Sequence, residues 1–323
     1  MKPILKLYRG YANEGELIVF GHIFKANKAE AYEFEKKRFK NARSIIRMFR
    51  IKTIANADVY LEHNGIRIHT KTLDDGYFKF CIPLNDELRY GWTDYYVSTF
   101  YGDEEIKEKG TYIKPFEGNL AFISDIDDTF LVSHTRNFFK KLYILLWKNI
   151  NDRKIFEDVV PHYQALSTAG RNKKDEMNAF FYVSSSEWNL YDYLLETFRY
   201  NQLPEGAFLL NQIKRWKDLL KVGKTGHEGK LIRVLRIIDA FPNQKFVFFG
   251  DNSQQDPAIY AKIAERYSSN MAGVYIRNIR KEKEGLAKEY LDQIRAKGIH
   301  ACLFNDSAEA IEFSKSTGLI NIS

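Results

Sequence analysis

After Lys114-Pro115-Phe116-Glu117-Gly118 the chain alternates short apolar runs with helical stretches, and this alternation leaves few folds open to the second half. The runs are NLAFIS, AFFYVS, GAFLLN, KFVFFG, MAGVYI and HACLF. Around them lie the helical stretches WNLYDYLLETFRYN, GKLIRVLRIIDAFP, DPAIYAKIAERYS, EYLDQIRAKG and SAEAIEFSKST. Runs this short and this apolar read as strands buried on both faces. Strands separated by helices are joined by crossovers, so the pattern predicts an α/β domain over residues 118–323. Its sheet is parallel and covered on both sides, with ligands at the carboxyl ends of the strands.

The first half has a different texture. ELIVFGHIF, DVYLEHN, GIRIHTKT, GYFKFCI, DYYVSTFYG and IKEKGTYI are short, β-branched or aromatic, and bounded by turn residues. His63-Asn64-Gly65 supplies an Asn-Gly hairpin turn, and Asp74-Asp75-Gly76 supplies another turn. Residues 1–115 therefore read as an all-β sandwich, and the chain as multi-domain. Its 323 residues suit two domains at about 100–200 residues each, and a composition 45% hydrophobic and 28% charged excludes a disordered chain. One insertion, residues 29–53, breaks the strand pattern. Between Lys36 and Lys52 it has eight Lys or Arg and no acid, interleaved with Phe39, Ile45, Ile46, Met48 and Phe49. It reads as an element packing its apolar side on the sandwich, or as a basic amphipathic surface for an anionic membrane.

Two cysteines, Cys81 and Cys302, lie far apart in apolar runs, which excludes a disulfide framework or cysteine metal site and predicts buried free thiols. The N-terminus lacks the apolar core of a signal peptide, and no run approaches the ~18–20 residues that cross a bilayer, so a cytoplasmic protein is expected. A net charge of +7 favours anionic partners without choosing among them. No nucleic-acid motif accompanies it, so none is expected as a partner. GKTG at Gly223–Gly226 is not a nucleotide-binding P-loop, because no strand precedes it and Asp218 stands where the motif needs its first glycine.

The chemistry is concentrated where strands end. NLAFIS delivers Asp125, Asp127 and Asp128 together, and three carboxylates within four residues repel one another unless a cation holds them. The all-oxygen donor set suits a hard metal such as Mg²⁺. KFVFFG ends in the same way, with Asp251 and then Asp256, so one ion could be shared between two strands of one sheet. FYVS ends in Ser184, Ser185 and Ser186, whose hydroxyls and loop amides suit phosphate oxygens. Together the three strand ends describe a metal-assisted phosphoryl site.

These motifs occur in a definite order: Asp125-Ile126-Asp127-Asp128-Thr129, a strand ending at Ser184, Lys230, then Gly250-Asp251 with Asp256. The order resembles the haloacid dehalogenase (HAD) superfamily of aspartate-nucleophile phosphatases. SDIDDT, FYVSSSEWNLYDYL, LPEGAFLL and GDNSQQDPAIY resemble more closely the catalytic domain of actin-patch-type phosphatidate phosphatases and their bacterial relatives, over roughly residues 118–280.

The resemblance implies a HAD-like (Rossmannoid) domain and a covalent mechanism. Asp125 attacks phosphorus to form an aspartyl-phosphate, and Asp127 serves as general acid and then base. Mg²⁺ is held by the Asp125 carboxylate, the Asp127 carbonyl and Asp251, with Asp256 in support. Thr129, Ser184, Ser185 and Lys230 bind the phosphate. Lys230 is singled out from Lys214, Lys217, Lys221 and Lys224 because it opens the helix that ends at Phe241-Pro242. The chain departs from its relatives at Ser184-Ser185-Ser186-Glu187-Trp188, where they read Ser-Asn-Ser-Pro-Trp, and at Gly250-Asp251-Asn252-Ser253, where they read Gly-Asp-Ser-Gly. Neither change removes a metal ligand or the nucleophile, although Glu187 adds negative charge near a phosphate site.

The span from Thr129 to Ala179 has room only for a small cap, which leaves the site open to a bulky or membrane-embedded substrate. Within it, NFFKKLYILLWKNI at Asn137–Ile150 reads as a helix packed on the sheet or held at a lipid interface. The expected activity is hydrolysis of phosphatidate to diacylglycerol and phosphate. The same chemistry on a soluble phosphoester or phosphoprotein is the alternative, and a non-catalytic phosphate-binding module is a third reading.

Overall fold

The computed structural model describes residues 3–25, 52–63, 65–84, 87–126, 159–171, 176–211 and 226–320. Most of the basic insertion 29–53, Asp127, Thr129 and the segment Asn137–Ile150 lie outside the described residues. The chain divides into two compact units. One is built on Met1–Lys114 and takes in Glu187–Leu194; the other comprises Pro115–Ser186, Leu195–Asn211 and Gly223–Ser323.

Among the described residues the first unit contains nine strands: β1 (Pro3–Leu7), β2 (Gly10–Ala12), β3 (Glu16–Lys25), β4 (Lys52–Thr53), β5 (Asp58–His63), β6 (Ile66–Lys71), β7 (Tyr77–Pro83), β8 (Gly91–Tyr101) and β9 (Glu104–Lys114). They form one mixed sheet in the order β1-β3-β2-β9-β8-β5-β6, with β4 and β7 also pairing with β3. Among the described residues the strands pair antiparallel, except β2 with β9. The expected turns are present: Gly65 and Gly76 have φ of 75° and 76°, a region that glycine enters without penalty.

Alternation along β7, where Phe78, Phe80 and Ile82 are buried and Lys79, Cys81 and Pro83 exposed, shows how one face is committed to the core. Those side chains join Leu17, Val19 and Ile23 of β3, Val59 and Leu61 of β5, and Tyr95 and Val97 of β8 in a single cluster. The expectation of two buried thiols is corrected here: Cys302 is buried, but Cys81 takes an outward position of β7 and is exposed. Glu187–Leu194 packs within this unit. The Trp188 ring stacks on Tyr8 at 4.1 Å, Arg9 N donates to Tyr191 Oη at 3.0 Å, and Lys6 ion-pairs with Asp192.

The second unit runs β10 (Leu120–Asp125), α1 (Val159–Ser167), β11 (Ala179–Glu187), α2 (Tyr191–Tyr200), β12 (Gly206–Asn211), α3 (Gly226–Ala240), β13 (Lys245–Asp251), α4 (Asp256–Tyr267), β14 (Met271–Arg277), α5 (Glu284–Arg295), β15 (His300–Phe304) and α6 (Ser307–Ser316). The last residue of β11 and the start of α2 belong to the first unit. Its six-stranded sheet has the order β12-β11-β10-β13-β14-β15. β10 pairs in parallel with both β11 and β13, β13 with β14, and β14 with β15.

The chain thus starts in the middle, winds outward through β11 and β12, and returns to β13 on the other side of β10. Reversal of winding at β10 and β13 opens a crevice beyond the carboxyl ends of those two strands. Aromatic side chains, 15% of the chain, have a structural use in this sheet. Phe180, Phe122, Phe249 and Tyr275 form a row across β11, β10, β13 and β14, with stacked contacts of 4.7 Å at Phe122–Phe180 and at Phe249–Tyr275. Such pairs add about 0.5–1.5 kcal/mol each beyond burial of their area, and they stiffen the strands that carry the site.

Candidate active site

Asp125 is the last residue of β10 and Asp251 the last of β13, so the parallel pairing of these neighbouring strands brings their carboxylates to one edge. Asp256 arrives from the start of α4. Ligand atoms of the three lie within 4.8 Å of one another, and all three residues are fully buried. Lys230 enters from α3: its Nζ lies 3.0 Å from Asp125 Oδ1 and also ion-pairs with Asp256 Oδ1. The other oxygen of Asp256 accepts the backbone N–H of Asp251 at 3.2 Å, so this one carboxylate orients both the lysine and the β13 loop. Asp251 Oδ1 in turn accepts N–H groups from Ser253 at 2.5 Å and Gln254 at 3.3 Å.

Gly250 makes this approach possible. A Cβ at that position would stand 2.5 Å from Asp256 Oδ2 and 2.7 Å from its Cβ, closer than carbon and oxygen tolerate.

The four charged residues carry a formal charge of −2 in a site from which water is excluded. Buried carboxylates at this separation favour protonation or a compensating cation. All three offer oxygen, and each oxygen that accepts one hydrogen bond keeps a second lone pair. The residues present therefore fit a hard divalent ion.

Neighbouring groups hold the strand ends in place. Ser124 Oγ donates to the Asp125 carbonyl at 3.0 Å and shares a 2.9 Å hydrogen bond with Tyr163 Oη of α1. Tyr260 Oη donates to the Phe249 carbonyl at 2.9 Å. Burial first, then the charges of Asp256 and Asp125, push the Tyr260 phenol well above its usual range, so it stays neutral and acts as a donor.

Of the residues expected from sequence, the structure brings together Asp125, Lys230, Asp251 and Asp256. Ser184 lies on the adjacent strand, one position beyond the partner of Asp125, and is fully buried. Asp127, Thr129 and the Ser185 side chain are outside the described residues. Glu187 is buried, and it groups with the first unit rather than with the unit holding the carboxylates.

Sequence reasoning missed Arg233. Its Nη2 donates to the Ser184 carbonyl at 3.2 Å and its Nη1 to Asn211 Oδ1 at 3.0 Å, which ties β11 and β12 to α3. The signal was available, because Arg233 stands three residues after Lys230 and so shares its helix face.

Comparison with known proteins points to the same chemistry for this part of the chain. The family described as "Phosphatidate phosphatase APP1, catalytic domain" matches residues 120–278, a span that holds every member of the carboxylate and lysine cluster. Residues 120–278 are thus similar to the catalytic domain of APP1-type phosphatidate phosphatases. Among curated relatives, the phosphatidate phosphatase APP1 of Saccharomyces cerevisiae is 25% identical over 172 residues, covering 51% of this chain and 27% of that protein. An uncharacterized protein of Schizosaccharomyces pombe is 25% identical over 194 residues, covering 58% of this chain and 30% of that protein. The chain therefore spans less than a third of the length of these relatives. Among solved structures, a carbohydrate acetylesterase from Xanthomonas citri aligns with 98% of this chain and 73% of its own, at 10% identity and a TM-score of 0.37. That likeness is too slight to carry fold or activity across.

Proposed function

We propose that the second unit is a Mg²⁺-dependent phosphatase that hydrolyses a phosphomonoester through an aspartyl-phosphate on Asp125, with phosphatidate as its substrate. The observation that carries this reading is Lys230 bridging Asp125 and Asp256 beside Asp251 in a buried group of formal charge −2. A nucleophile, a phosphate-binding cation and a metal-binding pair are the parts that such chemistry needs.

Asp125 and Asp251 would hold the ion, with Asp256 supporting it and the Asp127 carbonyl contributing by family resemblance. When bound, Mg²⁺ would offset the charge of the phosphate dianion so that an anionic carboxylate can approach it. A carboxylate oxygen of Asp125 then bonds to phosphorus as the ester P–O bond breaks. In the resemblance Asp127 gives its proton to the departing alcohol. It recovers a proton from the water that next attacks phosphorus, which restores the Asp125 carboxylate and releases phosphate. Lys230 and Ser184 bind phosphoryl oxygens, and Lys230 also holds Asp125 in its attacking position.

The strand order, with Asp125 ending the central strand at the reversal of winding, supports a HAD-like (Rossmannoid) assignment for the second unit. A sandwich-like role for the first unit, a small cap between Thr129 and Ala179, a cytoplasmic location and peripheral contact with the substrate's membrane belong to the same proposal. No helix among the described residues is long and apolar enough to cross a membrane.

The test is phosphate release by the full chain from phosphatidate, lysophosphatidate and soluble phosphomonoesters side by side. Release from phosphatidate vesicles at a rate well above that from soluble esters supports the reading. Turnover of soluble esters alone would replace phosphatidate with a soluble substrate, and no turnover on any ester would leave a phosphate-binding module.

A further inference from the structure

Asn252, where relatives read serine, is spent on a neighbouring loop rather than on the carboxylates. It is buried, and its N–H donates to the Arg277 carbonyl at 3.1 Å. Its side-chain Oδ1 accepts the N–H groups of Ile279 at 2.7 Å and Arg280 at 2.8 Å. Its Nδ2 donates to Asn278 Oδ1 at 2.7 Å and to the Arg280 carbonyl at 2.9 Å. One residue further on, the Ser253 carbonyl accepts Lys283 Nζ at 2.5 Å. The loop Arg277–Lys283 is thus locked, backbone and side chain, to the loop that carries Asp251. Arg277 itself is the register partner of Asp251.

This second loop reads RNIRKEK, with four cations and one acid. Arg277 is buried and Lys283 is engaged with Ser253, which leaves Lys281, exposed, and Arg280, half-buried. Among the described residues the Arg280 guanidinium ion-pairs with the exposed Glu282, at 3.8 Å. Exposed ion pairs of that length contribute little. Next to them, in the first turn of α5, Leu286 is 53% exposed with Gly285 ahead of it. Cations set beside an exposed leucine match a bilayer interface, where ammonium and guanidinium groups meet anionic headgroups and the leucine enters the acyl boundary.

We infer that Arg280, Lys281 and Leu286 form a docking point for an anionic phospholipid surface, held at the catalytic edge of the sheet by Asn252. The assignment rests on the proposed function for its purpose, because docking there delivers a membrane-embedded phosphomonoester to Asp125. Charge complementarity selects an anionic surface over a neutral one. The binding itself needs neither the metal nor turnover.

The test compares the full chain with Arg280→Ala/Lys281→Ala and with Leu286→Ser. Binding is read by sedimentation with phosphatidylcholine vesicles, with and without phosphatidylglycerol, in EDTA. Turnover is read on p-nitrophenyl phosphate and on phosphatidate in the same vesicles with Mg²⁺. Each cation near an anionic surface is worth roughly five-fold in partitioning, so the double variant should lose about ten- to thirty-fold in binding to phosphatidylglycerol vesicles. Its turnover of p-nitrophenyl phosphate should match that of the parent chain. Leu286→Ser should lose less, and in the same direction.

Undiminished vesicle binding by the double variant, or a parent chain that ignores anionic vesicles, overturns the docking point. An equal loss on p-nitrophenyl phosphate overturns it as well, because the two cations would then act on the phosphoryl group itself. If no ester is turned over, the sedimentation arm still decides the docking point while the proposed function alone fails.

Discussion

On the outward strands of the first unit, Lys107 pairs with Glu62 and Lys109 with Asp94, and every partner is about half exposed. In the second unit Lys230 lies between Asp125 and Asp256, and none of the three is more than 3% exposed. The chemistry of the pairs is the same, but the solvent is not. Water already stabilises the charges of the first unit, so pairing them adds at most about 1 kcal/mol. The charges of the second unit have lost their water and depend on one another and on whatever cation joins them. A fold gains little stability from such a cluster, so its presence at the reversal of winding points to chemistry rather than to structural support.

The contrast is broken or sharpened most strongly at Lys230. Lys230→Met should destabilise the chain by about 3–5 kcal/mol, because it leaves Asp125 and Asp256 without their buried ammonium. It should also slow phosphate release by on the order of 10²–10³-fold. Chemical denaturation and steady-state assays read the two effects. A second substitution, Gly250→Ala, alters no charge. Its new Cβ must displace the Asp256 carboxylate, at a cost of about 1–3 kcal/mol, with the half-saturating Mg²⁺ concentration rising in the same variant.

Each unit also buries a histidine, which extends the comparison to pH. Burial lowers His22 of the first unit from 6.5 to about 3 and His162 of the second to about 4. The unfolded chain therefore binds protons that the folded chain refuses. Stability is full above pH 6.5 and falls as pH drops below it, by up to about 1.4 kcal/mol per pH unit for each histidine. His162→Gln should flatten that slope in denaturation curves taken between pH 6.5 and 4. Lys107→Ala in the first unit should change stability by less than about 1 kcal/mol, and should lose even that in high salt. A larger change at Lys107 than at Lys230 would reverse the contrast.

Sequence patterns differed in how far they reached. The strand ends were legible because a run of four or five apolar residues stopping at an aspartate has few other meanings in an alternating β/α chain; Asp125 and Asp251 follow from that rule. Asp256 and Lys230 needed the order of motifs, since a helix-opening aspartate and one lysine among several look ordinary alone. The role of Asn252 was not legible, because its partners at 278–280 lie more than 25 residues ahead and meet it only through the β13–β14 pairing. Cys81 shows a different limit. An apolar neighbourhood suggested burial, but a period of two puts every second residue of β7 outside, and position rather than composition decides. Glu187 shows a third, since adjacency in sequence to Ser184 did not keep it in the same unit.

The most direct measurement is phosphate release from phosphatidate vesicles by the full chain with Mg²⁺, with EDTA, and with Asp125→Asn in place of the parent. The account predicts release that stops in EDTA, returns when Mg²⁺ is added in excess, and falls by on the order of 10⁴-fold or more in the Asp125→Asn variant. Release that persists in EDTA, or that survives in Asp125→Asn, would contradict it.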